Sequence, residues 1–138
     1  MEINSGLKIL NSSNNGLHNT LGMEFLSTPE SDTIMARMPV DERHTQPYGM
    51  LSGGATIALA ETLAGLGSSI LCPGSFPCGT NVSCNHVHTV REGGTVTAVG
   101  RIIHRSKKTH IWQVEVKDEQ GELVSLISVT NLILEKKA

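Results

Sequence analysis

Aromatic side chains are scarce. Phe25, Tyr48, Phe76 and Trp112 are the whole complement in 138 residues. Any core must therefore be assembled from Leu, Ile, Val, Ala and Met. Cysteine is scarce too: Cys72, Cys78 and Cys84 form an odd set without a CxxC pair. That excludes the disulfide framework of small secreted domains and predicts reduced thiols. No charge of one sign dominates, since the net charge is −2. A whole-chain basic field that would draw nucleic acid is absent. The first residues, Met1-Glu2-Ile3-Asn4-Ser5, lack the positive and apolar stretches of a signal peptide. No run of about 18 apolar residues offers a bilayer span. These absences predict a soluble, cytoplasmic protein with no membrane or nucleic-acid partner.

What is present fits one globular domain over residues 1–138, with 1–20 as a peripheral N-terminal segment. Such a domain buries a core but has little left to enclose a large ligand. A big substrate needs a surface groove or a second subunit. Residues 1–20 are rich in Asn, Ser and Gly around Leu7, Ile9 and Leu10, which predicts a short helix and a loop. From Met23 to Val40 the pattern is strand-like, with Ile34, Ala36 and Met38 on one face by period two. Residues 41–49, DERHTQPYG, read as a polar loop. Residues 53–71 change character. Ala55, Leu59, Leu63, Leu66 and Ile70 repeat at helical spacing among small residues, which predicts a helix buried on most sides. Gly65 and Gly67 each cost such a helix about 1 kcal/mol, a cost that close packing explains. Pro73 and Gly74 end it.

Beyond residue 78 the period is two. Strands are expected at 79–89, 95–104, 109–117 and 122–134, with turns at Glu92-Gly93-Gly94 and Glu119-Gln120-Gly121. The fold class is α+β: a meander of four antiparallel strands wrapped on one long central helix.

Glu61 lies in the middle of that apolar helix, where burying an acid is costly unless it is paired or functional. The alternative is a solvent-facing strip, but Ile57, Glu61, Gly65 and Ser68 share a stripe that is not otherwise charged. Ser52-Gly53-Gly54 opens the same helix. Its free N–H groups and positive dipole end suit an anion or a developing oxyanion, or merely a Ser cap with flexible glycines. Gly53 and Glu61 are about 12 Å apart along the axis. One carbonyl scarcely reaches both, so two antiparallel helices from two subunits are implied. Arg101, His104, Arg105, Lys107, Lys108 and His110 concentrate positive charge that suits phosphate or simply a solvated strand end. Cys84, His86 and His88 alternate on one strand face as possible metal ligands, but no acid or further Cys accompanies them at a recognisable spacing. GMLSGG at 49–54 has the look of a nucleophile elbow without the strand that motif requires.

Gln46-Pro47-Tyr48-Gly49-Met50-Leu51-Ser52-Gly53-Gly54-Ala55 followed by Leu59-Ala60-Glu61 resembles the hotdog-fold acyl-CoA thioesterases. The nearest group is the aryl-CoA type, which includes 1,4-dihydroxy-2-naphthoyl-CoA thioesterases of menaquinone synthesis and 4-hydroxybenzoyl-CoA thioesterases. Asn85-His86, Arg91-Glu92-Gly93 and Trp112-Gln113-Val114-Glu115-Val116 also look like that group, so the likeness spans roughly residues 20–135. The resemblance implies a hotdog fold and hydrolysis of an acyl-CoA thioester, without metal or redox cofactor. It implies Glu61 as general base or nucleophile, Gly53 as the backbone donor to the thioester carbonyl, and Gln46 as an assisting side chain. It further implies that Thr80, the segment Val87-His88-Thr89-Val90 and the segment His104-Arg105-Ser106-Lys107-Lys108-Thr109 line the substrate and CoA path. Members are commonly homotetramers built as dimers of dimers, with sites across the dimer interface. Ser52 departs from the family, which usually has His there. The Gly53 N–H survives that change, but an imidazole is lost, so Ser52 is left to cap the helix or hold a water. Two alternatives stay open on this fold: an enoyl-CoA hydratase or dehydratase, and a non-catalytic acyl-CoA-binding module.

Overall fold

The structure, a computed structural model, describes residues 15–135. The helix expected around Leu7–Leu10 lies outside them. A one-turn helix α1 (Leu17–Thr20) leads into strands β1 (Glu24–Leu26) and β2 (Thr33–Pro39). The long helix α2 (Gly53–Leu71) follows, then β3 (Ser75–His86), β4 (Thr95–Arg105), β5 (Thr109–Lys117) and β6 (Leu123–Glu135). One six-stranded antiparallel sheet runs β1-β2-β4-β5-β6-β3. This is the expected α+β hotdog architecture, a sheet curled on one long helix.

The four-strand meander needs correction. β4, β5 and β6 do form one, but β3 does not join β4. It crosses to the far edge and pairs along β6, from Ser75↔Glu135 to His86↔Ser125. β2 fills the place beside β4 instead. The single strand expected over 23–40 is broken into β1 and β2 by the turn at 27–32. β3 also begins earlier, taking in Pro77, which an edge strand tolerates. Gly93 and Gly121 hold φ of +99° and +83° in the two anticipated turns.

Period two decides what each strand buries. Ile34, Ala36 and Met38 of β2, Val96 and Ala98 of β4, and Trp112, Val114 and Val116 of β5 are fully enclosed. The helix answers with Thr56, Leu59, Ala60, Leu63, Ala64, Gly67 and Ser68. Only that face is covered. On the opposite face Glu61 is exposed while Ile57, Ala58, Thr62 and Gly65 beside it are half-buried. By length and a mean hydropathy of 1.3, α2 is apolar enough to cross a bilayer, contrary to expectation. Its apolar residues are instead the centre of the core.

The contact between helix and sheet is tightest at Trp112. A Cβ on Gly67 would stand 2.6 Å from Trp112 Cη2, whereas nothing lies within 4 Å of a Cβ on Gly65. Close packing thus accounts for the first glycine and not the second. Next along the helix, the Ser68 hydroxyl accepts from Trp112 Nε1 (2.8 Å) and Asn131 Nδ2 (3.2 Å). A hydroxyl has one proton and two lone pairs. With both lone pairs taken, Ser68 donates to His110 Nδ1 at 2.8 Å. His110 therefore keeps its proton on Nε2, which faces Cys72 Sγ at 3.6 Å. Ser68, His110, Trp112 and Asn131 are all buried.

Two outcomes follow for stability. Gly67→Ala should lower stability by about 1–3 kcal/mol through overpacking on an immovable ring. Gly65→Ala should be neutral or raise it by up to about 1 kcal/mol through helix propensity. Urea melts of the two variants check this. Burial, then the charges of Arg105 and His104, push the His110 pKa below its ordinary value. The unfolded chain then binds the extra proton, so this residue's contribution is present above about pH 6.5 and is lost as pH falls below it. Melting temperature should drop between about pH 7 and about pH 5, less steeply in His110→Gln. Equal slopes would show that His110 does not titrate into instability.

Candidate active site

The N-terminus of α2 is fixed from two directions. Ser52 has extended backbone and its Oγ accepts the Gly54 N–H at 3.2 Å, the geometry of an N-cap. The preceding loop is bound at several points. Ser52 N–H donates to the His44 carbonyl (2.7 Å), Gln46 N–H to Met50 (2.7 Å), Leu51 N–H to Val90 (2.8 Å) and Glu92 N–H to Gly49 (2.9 Å). Buried His44 donates through Nε2 to the Leu21 carbonyl at 2.6 Å, tying the loop to the segment after α1. Asp41, held well below the usual carboxylate range by hydrogen bonds from Arg43, braces the same corner.

The Gly53 N–H has no hydrogen-bond partner among the described residues, as the first turn of a helix allows. It is not isolated, however. An added Cβ at Gly53 would come within 2.6 Å of His86 Nε2. The imidazole of His86 thus lies against the glycine, anchored through Nδ1 to buried Ser125 Oγ at 2.7 Å. Cys84 Sγ touches the same ring at 3.5 Å, and burial raises its thiol pKa. Glu61 is exposed on the open face of α2. Its Oε1 lies 3.5 Å from where a Cβ on Gly79 would stand, which places the carboxylate beside β3. A helix-dipole N–H, an imidazole and a free carboxylate are the parts needed to polarise a carbonyl and deliver water to it.

The sequence profile of the thioesterase superfamily matches residues 48–125, more than half of the chain. The chain belongs to that superfamily. It is 38% identical over 104 residues to the 1,4-dihydroxy-2-naphthoyl-CoA hydrolase of Escherichia coli, covering 75% of this chain and 76% of that one. A mutant thioesterase of Pseudomonas aeruginosa superposes with a TM-score of 0.89 at 32% identity, covering 94% of each chain. A thioesterase of Haemophilus influenzae gives 0.88 at 34% identity, over 94% of this chain and 90% of that one. The chain is accordingly a thioesterase.

As a thioesterase, it holds its expected residues unequally. Gly53 and Glu61 lie on one helix with Ser52 as its cap, and Gln46 is exposed on the loop before it. Thr80 is on edge strand β3 beside Gly79, its hydroxyl donating to the Thr130 carbonyl at 3.3 Å. Val87 and Thr89 are exposed, whereas Val90 is a core residue at 8% exposure. His88 is turned to Asp118 and Glu122. His104, Arg105, Lys107 and Lys108 are exposed, and the two lysines line a cavity of about 410 Å³ with Ser75 and residues 132–135. Ser106 and Thr109 close the β4–β5 turn on each other. Two members leave the basic cluster. Arg101 is committed to Glu30 and Asp32, and His110 is buried under Ser68. The Cys84–His86–His88 ligand set also dissolves, because the rings of His86 and His88 are bound in different places.

His86 is the residue that sequence reasoning under-read. Alternation puts Val82, Cys84 and His86 on the helix side of β3, but its meeting with Gly53 depends on β3 crossing to β6. Gly53→Ala should displace the His86 ring. Thiol release should fall while the circular dichroism spectrum stays unchanged; undiminished release would show that the contact is idle.

Proposed function

We propose that this thioesterase hydrolyses acyl-CoA thioesters with an aromatic acyl group, 1,4-dihydroxy-2-naphthoyl-CoA being the model substrate. The observation that carries the reading is the Gly53 N–H at the positive end of α2, without a hydrogen-bond partner among the described residues. Such a group suits an oxygen that gains charge as a thioester is attacked, and the helix dipole adds to it. The similarity to the E. coli hydrolase supports the aromatic acyl group. Glu61 takes a proton from water as its oxygen bonds to the carbonyl carbon, or attacks that carbon itself to give an anhydride that water then opens. Either way the C–S bond breaks and the CoA thiolate leaves, recovering a proton. Gln46 steadies the carbonyl, and Lys107 and Lys108 offer charge to the CoA phosphates. Ser52 keeps the cap that holds the Gly53 N–H in place.

The working unit in this proposal is a dimer or a pair of dimers. Gly53 and Glu61 stand about 12 Å apart along one axis, so the donor of one chain is completed by the acid of another. β3 supports this pairing, because it is a twelve-residue strand with an open edge. The same reading places the enzyme in the cytoplasm.

Thiol release should be faster with aromatic than with short aliphatic acyl-CoA. Glu61→Gln should lower kcat by about 10²–10⁴-fold with the fold intact. A Glu61→Gln enzyme near wild-type rate overturns the assignment of Glu61, and an aliphatic preference overturns the aromatic one.

A further inference from the structure

We propose that His88, Asp118 and Glu122 form a binding site for a divalent transition-metal ion, with Zn²⁺ as the fitting probe. The three residues come from two places. His88 follows the end of β3, and the acids belong to the turn between β5 and β6. Asp118 is held first. Its Oδ1 accepts the N–H groups of Gln120 (3.0 Å) and Glu122 (2.9 Å). That fixes the carboxylate and turns Oδ2 toward His88 Nε2 at 3.5 Å, without a hydrogen bond of its own among the described residues. The Asp118 side chain as a whole is only 9% exposed, which holds the carboxylate in one place. Glu122 Oε2 approaches the same imidazole nitrogen at 3.2 Å.

The spacing is that of a ligand set. All three donor atoms lie within 4.8 Å of one another. With metal–ligand bonds of about 2.1 Å, a tetrahedral edge measures about 3.4 Å. The two measured edges, 3.2 and 3.5 Å, bracket that value. One imidazole and two carboxylates suit Zn²⁺ and its neighbours in the first transition row. Two negative charges match a dication. The backbone bonds on Asp118 Oδ1 are the outer support such sites use. Beside the cluster lies a cavity of about 290 Å³, lined in part by Arg91 and Gln120, through which an ion enters and a fourth ligand reaches it. The competing explanation is an ion pair with protonated His88. With His88 44% and Glu122 65% exposed, such a pair is worth little and does not account for two carboxylates converging on one imidazole nitrogen. An ion here staples the segment leaving β3 to the β5–β6 turn.

The test is a Zn²⁺ titration of untagged protein by calorimetry, repeated with Co²⁺ to read ligand-field bands. Expected are one ion per chain, a rise in melting temperature, and a His88 imidazole NMR signal that shifts on binding. Asp118→Asn and Glu122→Gln should each weaken binding about tenfold or more. The first substitution keeps an oxygen acceptor for both turn N–H groups, and Glu122 is exposed, so both variants fold; their metal-free melts confirm it. No saturable binding, unchanged affinity in both variants, or loss of binding in Cys84→Ala instead would each overturn the site.

Discussion

The Ser68 hydroxyl and the bare Cα of Gly67 decide where the helix sits. Trp112 presses its ring onto Gly67 and its indole N–H onto Ser68, while His110 and Asn131 converge on the same oxygen. A buried hydroxyl serving three partners has no slack, because any shift leaves a donor or acceptor unpaired in a dry site. Apolar packing alone would tolerate a helix displaced along the sheet. This junction does not, and it joins α2 to β5 and β6 at once. Since β6 carries β3, the junction also sets how far the end of β3 stands from the start of α2.

In the proposed mechanism the distance between β3 and α2 governs the chemistry. His86 meets Gly53, and Gly79 lies beside Glu61, along one edge strand. A side chain at Gly53 would lift the imidazole away from the helix mouth. A glycine there is usually credited to the approach of a substrate oxygen. In this chain it also admits a ring of the protein itself. Ser52 and His86 can be understood together on that basis. The position before the glycines holds a cap rather than an imidazole, and an imidazole reaches the same N-terminus from β3.

Local patterns were legible where neighbours in sequence are neighbours in space. The bounds of α2 follow from helical spacing with Ser52 at one end and Pro73-Gly74 at the other. The buried faces of β2 and β5 follow from alternation. Strand order was not legible, because nothing in residues 75–86 says that they pair with 125–135 rather than with 95–105. Errors about the site trace to that gap. Arg101 looked free because Glu30 and Asp32 lie far from it in sequence and meet it only across the sheet. His110 looked like part of a basic strand end because its hydrogen-bond partner, Ser68, sits on the helix. His88 looked like a partner of Cys84 and His86 because its acids come two strands later, in the β5–β6 turn.

One open face remains to be explained by physics. The sheet covers one side of α2 and leaves the other side with Glu61 exposed. Ile57 and Ala58 beside Glu61 are only half-buried, and β3 adds an uncovered strand edge next to them. A second copy, related by a twofold axis, satisfies both demands with a single surface, because such an interface is self-complementary. It also brings an acid toward a helix mouth that its own acid scarcely reaches. In the proposed dimer, covering the half-buried apolar side chains and completing the catalytic set draw on the same face. In that proposal the small chain does not have to enclose a large thioester by itself.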